Sequence, residues 1–179
     1  MSFTLLLGGA RSGKSELAVR LAGRAGRPVV VVATAEAGDE EMAERIRQHR
    51  ALRPATWTTV EEPVELASAV EAVPDDGFVL VDCLTLWVAN LLERGWGPAD
   101  VVDRSRDAAR QAAAHPGGGV VVSNEVGSGI VPVNALARSF RDLLGTVNAM
   151  WAGHAERTFL VVAGGVLPLH DARIVEQGS

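Results

Sequence analysis

The stretch GGARSGKS, residues 8–15, directly follows the apolar run FTLLL at residues 3–7. Its spacing, G-x-x-x-x-G-K-S, is typical of a loop in which glycines let backbone N–H groups approach a phosphate without an intervening side chain. In such a loop Lys14 reaches the β- and γ-phosphates, and the Ser15 hydroxyl binds Mg²⁺. The predicted nucleotide contacts are therefore Gly8, Gly9, Ala10, Arg11, Ser12, Gly13, Lys14 and Ser15.

Both flanks of this loop agree with the motif. The run before it is typical of a buried strand, and the segment ELAVRLA after it has helical spacing, with Leu17 and Leu21 one turn apart. A helix that starts near Lys14 adds free N–H groups and the positive end of its dipole to the phosphate site. The alternative, a glycine-rich turn without a ligand, is disfavoured because every motif position and both flanks match. The loop predicts binding of a nucleoside triphosphate.

The composition limits the class of protein. With 179 residues, of which 47% are hydrophobic and 22% charged, the sequence predicts one domain over residues 1–179 with a full core. The net charge of −5 argues against a nucleic-acid partner, which normally meets a basic face. Cys83 is the only cysteine, which excludes an internal disulfide and a cysteine-based zinc site. The sequence lacks a signal segment and an apolar run near the roughly 20 residues that span a bilayer, so we expect a cytoplasmic protein.

Short apolar runs alternate with amphipathic segments, which is typical of βα units around a parallel sheet. We predict an α/β P-loop NTPase domain of the RecA-like type, with a mainly parallel sheet and helices on both faces. An apolar stripe from Val133 to Trp151 is predicted to face the core. The predicted strands are Thr4–Leu7, Val29–Ala33, Phe78–Val81, Val120–Ser123 and Phe159–Ala163, and the predicted helices are Lys14–Arg24, Asp39–Ala51, Val64–Val73, Leu84–Glu93, Ala99–Ala114 and Val133–Trp151.

One carboxylate follows a predicted strand directly. Ligands of parallel α/β sheets bind beyond the carboxyl ends of the strands, so polar residues at those ends are candidates. Asp82 follows the apolar run FVLV and is predicted to hold Mg²⁺ directly or through water. The alternative is that Asp82 caps the helix that begins at Leu84. We interpret the adjacent Cys83 as a small packed residue and not as a nucleophile.

Two other strand ends carry weaker signals. Asn124 and Glu125 end the run VVVS and lead into a glycine-rich loop, Val126–Pro132. This loop either closes over a substrate or simply connects two elements with Asn124 as a cap. Thr34 and its two alanine neighbours leave room for a base or a ribose, but small residues also pack well in a core.

His49 lies near the end of the predicted helix DEEMAERIRQHRA. Met42, Ile46 and His49 share one face, so the residues alone favour a partly buried packing role for this histidine. The alternative is a nucleophile, which must be a neutral imidazole. Neighbouring arginines disfavour the imidazolium and can hold a transferring phosphate, although the helix-end dipole acts in the opposite direction. The residues alone leave both roles open.

Five segments together resemble the bifunctional adenosylcobinamide kinase / adenosylcobinamide-phosphate guanylyltransferase family of cobalamin biosynthesis. They are GGARSGKS, VATA, DEEMAERIRQHRALRPATWTTVEEP, LVDCLTLWVANLL and SNEVGSGIVPVNALARSFRDLLGTVN, in the family's order and over most of the chain. The resemblance implies that the γ-phosphate of ATP or GTP is transferred to adenosylcobinamide. It also implies that GMP passes from GTP through a histidine to adenosylcobinamide phosphate, which gives adenosylcobinamide-GDP.

The resemblance also implies roles for particular residues. It makes His49 the carrier of GMP and a catalytic residue together with Lys14, and it implies that Ser15 and Asp82 hold Mg²⁺. It adds the nucleotide contacts Ala33, Thr34, Ala35, Ala51, Leu52, Arg53, Pro54, Glu61 and Asp82. Members of the family assemble as trimers, so we expect a homo-oligomer.

The acceptor side is less well defined. Val126–Pro132, Arg138 and Arg141 are candidate contacts to the corrinoid. The chain departs from the family at Ala149, where a glutamine or similar polar residue is usual, and in its final segment GGVLPLHDARIVEQGS, which has no lysine. Two rival interpretations are a generic P-loop small-molecule kinase, which has no role for His49, and a non-enzymatic nucleotide switch.

Overall fold

A computed structural model describes residues 3–171, and within them a seven-stranded sheet is flanked by six helices. This arrangement confirms the predicted α/β class. The strands are β1 Phe3–Gly8, β2 Val29–Ala33, β3 Thr58–Glu61, β4 Phe78–Asp82, β5 Gly119–Asn124, β6 Arg157–Val162 and β7 Gly165–Leu169, and the helices are α1 Lys14–Gly23, α2 Glu40–Ala51, α3 Leu66–Glu71, α4 Leu84–Glu93, α5 Pro98–Ala114 and α6 Ala135–His154.

The strand order brings the predicted site residues to one edge of the sheet. The order is β3-β2-β4-β5-β1-β6-β7, and all neighbouring strands are parallel except β6 and β7. Gly8 at the end of β1 is in register with Asn124 at the end of β5, and Ala33 at the end of β2 is in register with Asp82 at the end of β4. Because parallel strands end at the same edge, residues that are far apart in the sequence meet there.

Helices cover both faces of the sheet, as predicted. On one face α1 buries Ala18 and Ala22 against apolar strand residues such as Leu6. On the other face α3, α4, α5 and α6 enclose a larger core, in which Trp151 meets the edge of Phe3 at a ring-centroid distance of 5.4 Å. In contrast, α2 contributes no buried residue. None of the helices within residues 3–171 has the length and apolar character that a membrane span requires.

The two outer strands were not predicted. β3 has four residues, none of them buried, and all five residues of β7 are exposed. Such edge strands lack the continuous apolar run by which covered strands are recognised. Pro168 lies in β7 at the edge of the sheet. A proline has no N–H to donate, and it is tolerated on an edge strand because the outer side of that strand has no neighbour to accept a hydrogen bond. The divergent segment that begins at residue 164 thus supplies β7, and its part after residue 171 lies outside the described residues.

The predicted stripe of α6 faces the core only in its second half. The helix begins at Ala135, where Asn134 accepts a hydrogen bond from the N–H of Leu136 at 2.8 Å. Val133 is 98% exposed and Leu136 is 71% exposed, whereas Val147 and Trp151 are fully buried. The prediction for the first part of the stripe was therefore wrong, because these residues face solvent and the buried residues of α6 begin only at Leu143.

Candidate nucleotide-binding site

The loop at residues 8–15 has the backbone of a phosphate cradle. Gly13 is the N-cap of α1 with φ of 96°, a left-handed conformation that glycine adopts without strain, and Arg11 also has a positive φ of 54°. The N–H of Gly164 donates to the carbonyl of Ser12 at 2.9 Å, which ties the loop to the turn between β6 and β7. The free N–H groups at the start of α1 therefore open onto a loop of fixed shape.

Gly8 and Gly9 have different surroundings. A Cβ on Gly8 would lie 2.4 Å from the carbonyl oxygen of Val161 and 2.7 Å from the Oγ of Ser12, so no side chain fits there. A Cβ on Gly9 would meet nothing within 4 Å. The Ser12 Oγ is itself buried, and it has no hydrogen-bond partner within the described part of the chain. The loop therefore holds an unpaired hydroxyl beside its first glycine.

Lys14 folds back over the loop. Its side chain is buried, and the ammonium group donates to the carbonyl of Gly9 at 2.9 Å. Burial lowers the pKa of Lys14, against the opposing effects of Cys83, Asp82 and Glu16. An ammonium group has three donors, so the bond to Gly9 leaves capacity for a phosphate oxygen.

Asp82 ends β4 and forms a buried ion pair. Its side chain is 13% exposed, and its Oδ2 accepts a hydrogen bond of 2.8 Å from Arg53, whose side chain is 9% exposed. Burial raises the pKa of Asp82, but His49 and Arg53 outweigh this effect, so the pKa lies below its ordinary value. The alternative role of a helix cap is wrong, because the N-cap of α4 is Cys83 and no side chain caps that helix. Cys83 is buried, as predicted, and burial raises its pKa to about 11.

His49 faces Asp82 from the last turn of α2. Its Nδ1 lies 3.4 Å from the Oδ2 of Asp82, and its side chain is 45% exposed. His49 is exposed at the end of α2, a helix without a buried residue, so the structure does not support a packing role for it. The hydrogen bond to Asp82 raises the pKa of His49, while burial and Arg53 lower it. Arg53 thus acts in the expected direction, but the Asp82 carboxylate is the stronger influence.

A narrow cleft brings these groups together. It has a volume of about 10 Å³, close to the space that one water molecule needs. Its walls combine Ser15 of the phosphate loop with His49 and Asp82 and with Leu52 and Arg53 after α2. The structure thus unites the loop, the strand-end carboxylate and the histidine at one place. The full lining is Ser15, Ala18, Val19, His49, Leu52, Arg53, Leu80, Asp82 and Val122.

The donor set of this cleft suits Mg²⁺. Ser15 offers a hydroxyl oxygen and Asp82 a carboxylate, and Mg²⁺ bound with a nucleotide takes one or two such ligands and completes its shell with phosphates and water. Arg53 and His49 both contact Oδ2 of Asp82, and a carboxylate has a second oxygen for a metal ion. Among residues 3–171 there is no cluster of three His, Cys, Asp or Glu side chains that would form an all-protein cage.

Thr34 has a supporting position. It is fully buried, and its hydroxyl accepts from the N–H of Cys83 at 2.9 Å and donates to the carbonyl of Cys83 at 2.7 Å. Asn90 on α4 in turn donates to the carbonyl of Thr34 at 2.7 Å. These bonds hold the chain directly after Asp82. The sequence contained a signal for Asn90, which is an amide within the otherwise apolar helix LTLWVANLLE, but its role was not predicted.

The remaining predicted nucleotide contacts surround the cleft. Glu61 is in register with Ala33 across β3 and β2 and forms an exposed ion pair with Arg50. Ala33 and Ala35 are half-buried at the end of β2. Leu52 and Arg53 line the cleft. Ala51 and Pro54 flank them as exposed residues, so all these positions lie on one rim.

The end of β5 is held by a buried polar network. Ser123 donates to Asn148 Oδ1 at 2.7 Å, and Asn148 Nδ2 donates to the carbonyl of Asn124 at 2.9 Å. The N–H of Asn124 donates to Thr85 Oγ1 at 2.8 Å. Polar residues within the apolar helices α4 and α6 were the sequence signal for this network, and sequence reasoning missed it.

The loop after β5 makes most of its polar contacts with itself. Glu125 Oε1 accepts from the N–H groups of Gly127 at 2.5 Å and Ser128 at 3.0 Å. Arg138 donates to the carbonyl of Val133 at 2.6 Å, and Arg141 pairs with the adjacent Asp142 at 2.9 Å. Ile130 and Val131 are exposed. A contact of this loop with an acceptor therefore stays a prediction.

Comparison with known proteins gives one consistent result. Residues 4–169 match the family model described as cobinamide kinase / cobinamide phosphate guanyltransferase. The bifunctional adenosylcobalamin biosynthesis protein CobP of Pseudomonas aeruginosa is 46% identical over 167 residues, which are 92% of this chain and 95% of that protein. The corresponding CobU proteins of Salmonella typhimurium and Escherichia coli are 42% and 40% identical, over 89% of this chain and 95% of each protein.

Solved structures of distant proteins share the fold. The RadB recombinase superposes with a TM-score of 0.50 at 18% identity, over 89% of this chain and 73% of that chain. An ATPase from the type III secretion system of pathogenic bacteria gives a TM-score of 0.54 at 12% identity, over 98% of this chain and 53% of that chain. At such identities the likeness concerns the fold alone, and it confirms the predicted RecA-like P-loop architecture.

Proposed function

Because the chain belongs to the cobinamide kinase / cobinamide phosphate guanyltransferase family, we propose that it catalyses two successive transfers on adenosylcobinamide. The first transfer moves the γ-phosphate of ATP or GTP to the corrinoid. The second moves GMP from GTP, through a guanylylated His49, to adenosylcobinamide phosphate and yields adenosylcobinamide-GDP. The observation that carries this proposal is the cleft that His49 shares with Ser15 of the phosphate loop.

The kinase step relies on the phosphate loop. Phosphoryl transfer needs positioning and charge neutralisation more than covalent work by the protein. The N–H groups at the start of α1 and the Lys14 ammonium supply both at a fixed place, since Lys14 is held by the carbonyl of Gly9. The hydroxyl of the aminopropanol arm of adenosylcobinamide attacks the γ-phosphorus, and the nucleoside diphosphate leaves.

The transferase step requires a nucleophile, and His49 is the suitable residue. It is partly exposed, and its helix presents it to the cleft that Ser15 of the phosphate loop also lines. A covalent histidine intermediate divides one difficult displacement into two easier ones. In this step Lys14 and the loop stabilise the departing pyrophosphate rather than a transferring γ-phosphate.

We propose that Ser15 and Asp82 hold the Mg²⁺ that accompanies the nucleotide. When bound, this ion neutralises charge on the phosphate oxygens. We assign the remaining nucleotide contacts to Ala33, Thr34 and Ala35, to the stretch from Ala51 to Pro54, and to Glu61. For Thr34 this contact is through the main chain, since its hydroxyl is committed to Cys83.

We also propose a cellular location and an assembly state for the protein. It works in the cytoplasm as a homo-oligomer, a trimer by resemblance to its family, and without nucleic acid. The net charge of −5 supports the last point because a nucleic-acid partner favours a basic surface. The exposed residues Ile130, Val131 and Val133 support further contacts on the loop side of the site, with the corrinoid or with another subunit.

The test is a product assay with adenosylcobinamide, ATP, GTP and Mg²⁺, followed by chromatography of the corrinoids. We expect the wild type to form first the phosphate and then the GDP derivative. His49→Ala should stop at adenosylcobinamide phosphate, and Lys14→Ala should form neither product. His154→Ala is the matched control, because this histidine ends α6 near the opposite edge of the sheet and should leave both steps intact. A His49→Ala variant that makes the GDP derivative at the wild-type rate would refute the histidine carrier.

A further inference from the structure

The contact between His49 and Asp82 distinguishes the two nitrogens of the imidazole ring. Nδ1 lies 3.4 Å from the Oδ2 of Asp82, near the outer limit of a hydrogen bond. Such contacts are often long before the substrate binds and shorten in the reacting complex. Because Nδ1 is directed at the carboxylate, Nε2 is the ring nitrogen left for a reaction in the cleft.

The surroundings of Asp82 make it an acceptor. Arg53 donates to the same Oδ2 at 2.8 Å, and both side chains of this pair are buried. A guanidinium can only donate hydrogen bonds, so the Oδ2 that Arg53 contacts is an acceptor. The proton in the contact must therefore belong to Nδ1 of His49. The neutral ring then has its lone pair on Nε2.

The main chain next to Asp82 is fixed as well. Thr34 bonds both the N–H and the carbonyl of Cys83, the residue that follows Asp82. The N–H of Thr34 also donates to the carbonyl of Asp82 at 3.0 Å. A carboxylate on a backbone held at these points is a rigid support for a histidine on a surface helix.

We propose that Asp82 is a positioning residue that holds the Nδ1–H tautomer of His49 and thereby makes Nε2 the atom that carries GMP. This inference rests on the proposed transferase function. It adds to it the reacting atom and the residue that selects this atom. Asp82 acts through His49 in this role, in addition to its place beside the nucleotide.

Guanylylation of Nε2 forms one bond at the α-phosphorus and breaks another. The lone pair of Nε2 attacks the α-phosphorus of GTP, a P–N bond forms, and the P–O bond to pyrophosphate breaks with its electron pair on pyrophosphate. Nδ1 keeps its proton, so the guanylylated ring is positively charged and the Asp82 carboxylate compensates that charge. An oxygen of the corrinoid phosphate then attacks the same phosphorus. The P–N bond breaks, and its electron pair returns to Nε2.

The experiment reads the ring nitrogens directly. Protein labelled with ¹⁵N-histidine is studied by long-range ¹H–¹⁵N correlation in mildly alkaline solution, with the His49 signals assigned from a His49→Gln sample. The free protein should show the proton on Nδ1. After reaction with GTP and Mg²⁺, the phosphorus should couple to Nε2. Both readings are made on the wild type, and the His49→Gln sample serves only for the assignment.

Two variants test the role of Asp82. Asp82→Ala, with its fold checked by circular dichroism, should shift the free ring towards the Nε2–H tautomer and slow guanylylation by about 100-fold or more. Glu44→Gln is the matched control, because it removes an exposed carboxylate from the same helix without touching His49. It should keep the tautomer and the rate of the wild type.

The outcomes separate this inference from the proposed function. GMP on Nε2 with the proton on Nδ1 supports both. GMP on Nδ1, or an Asp82→Ala protein with unchanged tautomer and rate, would overturn the positioning role and leave the transferase function standing. If GTP binds and no GMP becomes attached to His49, the transferase function fails, and this inference fails with it.

Discussion

Replacing Arg53 with methionine should destabilise the folded chain, because it leaves the carboxylate of Asp82 buried without its cation. The two side chains are 9% and 13% exposed and are joined by a hydrogen bond of 2.8 Å. Methionine fills most of the volume of the arginine stem, so the loss of charge outweighs the loss of packing.

The magnitude follows from the burial of the pair. Removing one partner of a buried ion pair costs about 3–5 kcal/mol. Asp82 keeps its contact with His49, which favours the lower end of this range, so we expect a loss of about 3 kcal/mol in the free energy of unfolding. For a chain of 179 residues this corresponds to a fall in Tm of roughly 6–12 °C.

A double-mutant cycle isolates the pair. Unfolding in urea is followed by tryptophan fluorescence for Arg53→Met, for Asp82→Asn and for the double variant. Each single variant leaves a buried charge, but the double variant leaves none, so it should be less destabilised than the sum of the singles. We expect a coupling free energy of at least about 2 kcal/mol.

The pH dependence gives a second check with a defined sign. The pKa of Asp82 is below its ordinary value of 3.8 in the folded chain, so its contribution to stability is present above that value and is lost as the pH falls through the folded pKa. Arg53→Met weakens this effect. The difference in stability between wild type and variant should therefore shrink below about pH 4. Additive single variants, or a difference that is constant with pH, would refute the buried pair.

Three further predictions concern the loop and the thiol. Gly8→Ala should lower Tm strongly and abolish nucleotide binding, because its Cβ would lie 2.4 Å from the Val161 carbonyl oxygen. Gly9→Ala should keep the Tm of the wild type, because a Cβ at Gly9 would enter open space. Equal Tm values of the two variants in a melting scan would contradict this. Ser12→Ala removes an unpaired buried hydroxyl, so the Tm of this variant should be unchanged or higher. An increase should amount to roughly 2–4 °C for each kcal/mol gained in the free energy of unfolding. A clear fall in Tm would show that the hydroxyl has a partner. Burial raises the pKa of Cys83 to about 11, so its thiol should not react with a disulfide reagent in the native chain at neutral pH. It should react fully after unfolding. Rapid reaction in the native chain would show that the thiol is not buried.

Much of the fold could be predicted because its signals are local. The phosphate loop has a fixed spacing, and the five covered strands are continuous apolar runs. The edge strands β3 and β7 were missed because their stability comes from pairing with β2 and β6 and not from their own apolar pattern. The first half of the α6 stripe was wrongly predicted to be buried, because periodicity identifies the apolar face of a helix but not which part of that face the core covers.

The residues of the candidate site could be predicted from the sequence where one continuous segment contains them. Residues 8–15 and Asp82 followed from the motif and the strand end. The role proposed for His49 involves Asp82, which lies 33 residues away in the sequence, and no local spacing predicts that contact. The family resemblance supplied the proposed role of His49, and the residues alone favoured packing. Thr34 and Asn90 support Asp82 through bonds between separate elements, which only the folded chain brings together.

Intact-protein mass spectrometry after mixing the chain with GTP and Mg²⁺, in parallel with His49→Ala, shows whether this histidine becomes guanylylated. We expect a mass increase of one GMP on the wild type that is lost in acid and is absent from the variant. Binding of GTP without any such increase, or an equal increase on His49→Ala, would contradict the claim that this histidine carries the nucleotide.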